Sequence, residues 1–153
     1  MADRSLAALL TCGVLAACSA CTSVLPGTAA PLSVTDVERT RVGEYFDRLN
    51  EAGAAGPGPQ RELLARTQHP DHREHACTLG EATLRMTPTM STLRGDADWV
   101  PPGERGHPRG VVLAVAVTVT VVRDSQELGS QIGTVHVVVL DGTAYGFAPC
   151  VTG

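Results

Sequence analysis

The chain contains no lysine: all twelve of its basic residues are arginine. Asparagine occurs once, at Asn50, and the aromatic set is one Trp, two Tyr and two Phe. Sixteen acidic residues outnumber the basic ones, giving a net charge of −4, so the basic stripe a nucleic-acid binder needs is missing. The chain holds no apolar run of the ~20 residues that a membrane-spanning helix requires. A Gly-x-Ser-x-Gly nucleophile elbow, a His-Glu-x-x-His zinc pattern and a phosphate-cradling glycine loop in strand-to-helix context are also lacking. These gaps argue against the common hydrolase, metalloprotease and nucleotide-binding classes, and no cofactor is expected. The richness in Ala, Gly, Val and Thr, with Arg as the only basic residue besides His, matches translation from a GC-rich genome of the actinobacterial type.

What is present begins with Val111 to Val122, VVLAVAVTVTVV. β-Branched side chains are stiff at χ1 and pack well on a pleated surface, so this run reads as the central strand of a sheet. Alternation puts Val111, Leu113, Val115, Val117, Val119 and Val121 on one apolar face. The other face holds Val112, Ala114, Ala116, Thr118, Thr120 and Val122, is smaller and partly polar, and is expected to be only lightly covered.

The N-terminus carries an address. Arg4 precedes an apolar run from Leu6 to Ala17, too short to cross a bilayer and of the size of a secretory leader. Leu15-Ala16-Ala17-Cys18 then resembles the lipobox of bacterial lipoproteins. The resemblance implies cleavage before Cys18 and attachment of a diacylglyceryl group to its sulfur. Residues 1–17 become the signal peptide, 18–34 a lipidated tether rich in small residues and broken by Pro26 and Pro31, and 35–153 the folded domain. Cys21 is a second candidate for the lipid, with a poorer preceding triplet. A plain signal peptide cut elsewhere is the unspecific alternative. The expected location is the outer face of the cell membrane, or secretion. The membrane is the expected partner through the anchor, with a small ligand or an envelope protein possible and nucleic acid not expected. Export places Cys77 and Cys150 in an oxidising compartment, where we pair them as a disulfide closing a loop worth roughly 4 kcal/mol. Two buried thiols are the alternative.

Along the domain, Thr35 followed by Glu38 fits a capping box opening a helix from Asp36 to Ala52, with Val42, Tyr45, Phe46 and Leu49 as its apolar stripe. Gly53 is the expected C-cap, and Glu44 and Arg48 an expected surface pair. A second helix is expected from Gln60 to Gln68. Strands follow at Ala82 to Leu93, where Pro88 implies an edge, then at the central run, at Gln131 to Leu140 after a turn over Asp124 to Ser130, and at Thr143 to Ala148 after the Asp141-Gly142 hairpin turn. The fold class is therefore α+β, N-terminal helices packed on a four-stranded antiparallel meander. In element order alone this resembles the cystatin-like and nuclear-transport-factor-like cone folds.

Two stretches carry candidate chemistry. His69, Asp71, His72 and His75 lie within seven residues beside Cys77, and imidazole and carboxylate suit Zn²⁺ or Cu²⁺. Spacing of three would stack the histidines on one helical face if Pro70 sits in the first turn. A solvated polar turn explains the same residues without a ligand. His136 is expected near Thr118 or Thr120 on the less apolar sheet face, where His and Thr suit an anion or small polar ligand, and Trp99 on a long proline-rich loop is a candidate partner-binding tip. A lone strand histidine making one hydrogen bond is the simpler reading. The functional expectation is a lipid-anchored, non-catalytic extracytoplasmic binding module. The alternative is a metal-binding or enzymatic domain using the His69–His75 cluster.

Overall fold

The structure, a computed structural model, describes residues 33–75 and 79–147. Cys18, Cys21, Cys77 and Cys150 lie outside them, as do the segments expected to form a leader and tether. The domain is α+β: α1 (Asp36–Ala55) and α2 (Pro57–Thr67) pack on a sheet of β1 (Thr83–Gly95), β2 (Val111–Arg123), β3 (Gln126–Leu140) and β4 (Thr143–Gly146), ordered β1-β2-β3-β4 with every pair antiparallel. Among the described residues β1 and β4 do not pair, so the sheet does not close into a barrel. The core lies between the helices and one sheet face, where Val42, Phe46 and Leu49 of α1 meet Leu84, Leu113, Val115, Val117 and Val137.

α1 opens on the expected capping box. The Glu38 backbone N–H donates to the Thr35 hydroxyl and the Thr35 N–H to the Glu38 carboxylate. The helix runs past Gly53 and ends at Gly56, whose φ of 121° suits glycine alone. Gly53 has a different role: a Cβ there would lie 2.6 Å from Gln60 Nε2 and 3.0 Å from the Leu84 carbonyl. The expected Glu44–Arg48 ion pair does not form. Glu44 takes the Arg41 guanidinium at 2.9 Å, and Arg48 donates to the Glu44 backbone carbonyl. α2 begins three residues earlier than expected because Pro57 and Pro59 fit a first turn that needs no N–H.

The hairpin between β2 and β3 is tighter and longer than its sequence suggests. Asp124 and Ser125, with φ of 50° and 64°, make a two-residue turn, so β3 starts at Gln126 rather than Gln131. Leu128 is the extra residue of a bulge between the Val122–Glu127 and Val121–Gly129 pairs. At its far end this hairpin outgrows the helix layer, leaving Val119 and Val121 only partly buried. At the near end both faces of β2 are covered. Val112 and Ala114, expected on the lightly covered face, are buried, because the loop carrying Trp99 folds back over them.

β1 is an edge strand, as Pro88 requires, but its free side is satisfied by side chains. Gln60 accepts from the Leu84 N–H at 2.8 Å and donates to the Leu84 carbonyl at 2.6 Å. Asn50, the only asparagine, does the same for Met86, with both bonds at 2.8 Å. Arg39 donates to the Met90 carbonyl. The amides of α1 and α2 thus stand in for a neighbouring strand.

Tyr45 sits in the core with its hydroxyl against Thr67 and Gly146. Burial outweighs the Thr67 hydrogen bond and pushes its phenol up to about 12. The folded state therefore holds the proton more tightly than the unfolded chain, whose Tyr titrates near ~10. This contribution is complete below pH ~10 and is lost as pH climbs towards 12, amounting to ~3 kcal/mol over the interval. Urea unfolding from pH 8 to 12 should show that decline, and Tyr45→Phe should flatten it. An equally steep decline in Tyr45→Phe would assign it to other groups.

An imidazole and aromatic cluster as candidate functional site

The two stretches singled out in the sequence meet in space, joined by Phe147. The segment from Gln68 to His75 runs beside β4: the His69 N–H donates to the Gly146 carbonyl at 3.0 Å, and Gln68 bridges to Gly146 as a short parallel pair. Pro70–His75 is a tight 3-10 segment broken at His72, whose φ is −128°. The break prevents the stack of histidines that regular spacing would give. From the other side, the loop after β1 brings Trp99 onto His136, ring centroids 4.1 Å apart and nearly parallel, and sets it roughly perpendicular to Phe147 with ring centroids 4.7 Å apart. Phe147 in turn stacks on His69 at 5.6 Å and lies 5.4 Å from His72.

Each imidazole has a distinct environment. His69 is fully buried. Its Nδ1 accepts from the Asp71 N–H at 3.2 Å, and its Nε2 lies 2.9 Å from the Arg109 carbonyl. A carbonyl only accepts, so Nε2 carries the proton and the ring is neutral with both nitrogens occupied. His72 is buried too. Its Nδ1 makes no hydrogen bond and lies 3.4 Å from the Glu104 carboxylate. His136 Nε2 meets the Asp96 carboxylate at 2.9 Å, so its ring is fixed by Asp96 in the plane and by Trp99 over its face.

The loop from Asp96 to Gly110 is therefore fastened to the body at several points. Its strongest tie is the fork between Arg109 and Asp71, with bonds of 2.9 and 2.6 Å. The Arg109 guanidinium holds the Asp71 carboxyl below the usual carboxylate range, and Asp71 in turn raises Arg109. Both partners are solvent-facing, so the fork supplies geometry more than stability.

The metal reading of the first stretch finds little support in this geometry. Both ring nitrogens of His69 are engaged and Asp71 is engaged by Arg109, while the His75 side chain is outside the described residues. Among the described residues, no group of three His, Cys, Asp or Glu is arranged to hold a metal ion. Thr118 and Thr120 are not neighbours of His136. His136 pairs with Ala114, whereas Thr118 pairs with Ile132 four residues further along β2, about 13 Å away at ~3.3 Å per residue. Thr120 instead shares a hydrogen bond with Ser130 at 3.2 Å. The outer sheet face thus divides into an aromatic and imidazole zone and a hydroxyl zone.

Sequence reasoning found Trp99, His136, His69 and His72 but missed Phe147 as the hub, and missed Asp96, Glu104 and Arg109. Alternation already put Phe147 on one face with Tyr145, a usable signal. Nothing local marks the three charged residues, because their partners are about forty residues or about thirty residues away in sequence. Chemically the cluster offers an aromatic surface, fixed imidazoles and a rim with Asp96 and Glu104 on it. No family model matches the chain, and no curated protein and no solved structure matches it either.

Proposed function

We propose that the chain is a lipid-anchored, non-catalytic binding module displayed on the outer face of the cell membrane. The observation that carries this reading is Leu15-Ala16-Ala17-Cys18 at the end of a short apolar run behind Arg4. The zone around Trp99, His136 and Phe147 serves as the contact face. Trp99 is half-buried, His136 against it faces Asp96, and His72 against Phe147 faces Glu104. Such a rim suits a cationic or hydrogen-bond-donating group better than the anion that His and Thr alone suggest. The partner is a small polar ligand or an envelope protein of that character.

Growth of the producing cells with an alkyne-tagged fatty acid tests the anchor. The full chain should carry the tag and sediment with membranes, and Cys18→Ala should lose both properties. A Cys18→Ala protein that remains tagged and membrane-bound would move the lipid to Cys21, and a parent chain that takes up no tag would remove the anchor from the account. Trp99, as the sole tryptophan, reports occupancy of the contact face by its fluorescence.

A further inference from the structure

We propose that β3 carries a self-association edge, along which the stretch Leu128–Thr134 pairs antiparallel with the same stretch of a second copy of this chain. β4 covers the far side of β3 only from Val137 to Leu140. Among the described residues nothing pairs with that side before Val137. Every residue from Gln126 to Thr134 is exposed, and Ile132 shows 80% of its surface.

The contrast with the opposite edge gives this opening its meaning. The free side of β1 is closed by Gln60, Asn50 and Arg39 and interrupted by Pro88. Among the described residues the β3 edge has no such cover, no proline and no lysine, and its bulge at Leu128 lies at the end of the run that would pair. Its backbone is also oriented for it. The two-residue turn at Asp141-Gly142 makes Leu140 and Thr143 a hydrogen-bonded pair, and the alternation of an antiparallel ladder carries this direction back along β3. The N–H and C=O groups of Ser130, Ile132 and Thr134 therefore point outward, while those of Gln131 and Gly133 point to β2.

A second copy fits this edge for three reasons. The stretch from Leu128 to Val135 contains no charged side chain, and the Glu127 carboxylate is held by Arg85 at 3.1 Å, so like meets like without repulsion. The free run has its midpoint at Gln131, so a two-fold axis there pairs each Ser130 with the other copy's Ile132 and makes about four new backbone bonds before either strand reaches β4. The two Ile132 side chains then lie diagonally across the junction, within reach of each other. The chain's own last residues are a poorer occupant: a continuation of β4 in register would set Pro149 opposite Thr134, which needs a donor that Pro149 lacks. The inference rests on the sheet alone and holds whether or not Cys18 is acylated.

Sedimentation equilibrium of the full chain in density-matched detergent tests it. The parent should show the mass of two copies, falling to one on dilution. Ile132→Pro removes an outward N–H without touching the ladder to β2, and Ile132→Lys places two charges across the junction; both should sediment as single copies. Ile132→Lys alters only an exposed side chain, so it decides the matter if the proline variant does not fold. Thr87→Lys, on the exposed face of β1, should leave the two-copy mass intact. A parent that stays single at all concentrations, Ile132 variants that stay paired, a mass that grows beyond two copies, or dissociation by Thr87→Lys would each overturn the proposal.

Discussion

Gln60→Leu is expected to lose about 3 kcal/mol of folding free energy, a large part of the ~5–15 kcal/mol a domain of this size possesses. Gln60 is completely buried, and its amide makes three bonds: it donates to the carbonyls of Leu49 at 3.0 Å and Leu84 at 2.6 Å, and accepts from the Leu84 N–H. Leucine matches its bulk but returns none of these bonds. Leu84 then faces α2 with an N–H and a carbonyl that have neither protein nor water to meet, at about 1–3 kcal/mol for each buried orphan. The added apolar contact of leucine offsets part of this. Urea unfolding should show a lower midpoint with an unchanged slope. A loss below ~1 kcal/mol would mean that water or a neighbouring group replaces the amide. Gly53→Ala, whose new methyl would press on the same Nε2, should weaken the same joint through sterics.

Gly110→Ala is the second large effect expected, again about 3 kcal/mol, and it bears directly on the candidate site. Gly110 has φ of 106°, and a Cβ there would lie 2.7 Å from both Val138 Cγ1 and the Val139 carbonyl. Conformational strain of ~1–2 kcal/mol adds to an overpacking term of ~1–3 kcal/mol, because the obstructing atoms belong to a buried strand. The residue before it, Arg109, supplies the carbonyl that holds His69 and the guanidinium that holds Asp71. A displaced Gly110 therefore loosens the loop that seats Trp99. Lower stability should be accompanied by a red shift of the Trp99 emission as the ring leaves His136. Gly103→Ala is the control: it lies in the same loop with φ of 86° but open space around its Cβ position, so it incurs the conformational strain only. Equal losses in the two variants, or an unshifted emission in Gly110→Ala, would disprove the account.

Much of the architecture was legible before any coordinates. The capping box at Thr35, the stripe Val42-Tyr45-Phe46-Leu49, Pro88 in an edge strand and the Asp141-Gly142 hairpin all express local chemistry, and each stands where its residues imply. The misjudged points share one character. The Asp124-Ser125 turn has no glycine or asparagine to announce its left-handed backbone, so the end of the hairpin looked like loop. Gly53 looked like a stop signal, whereas its smallness answers to Gln60, which arrives from the next helix. In the candidate site the individual rings were visible as chemistry, but their assembly was not. His136 found Asp96 and Trp99 rather than Thr118, because loop closure and not strand parity decided its neighbours.

By itself the sequence determined the type and order of the elements and the side of each that is apolar, because periodicity and turn chemistry act between residues a few positions apart. It also supplied the apolar run Leu6 to Ala17 and Cys18, on which the proposed address rests. Only the tertiary structure decided that α1 and α2 close the β1 edge with Gln60 and Asn50, that β4 pairs with β3 only from Val137 to Leu140, and that Phe147 joins His69 to Trp99. Those are contacts between groups far apart along the chain, and no local preference encodes which distant partner a buried amide or an aromatic ring will meet.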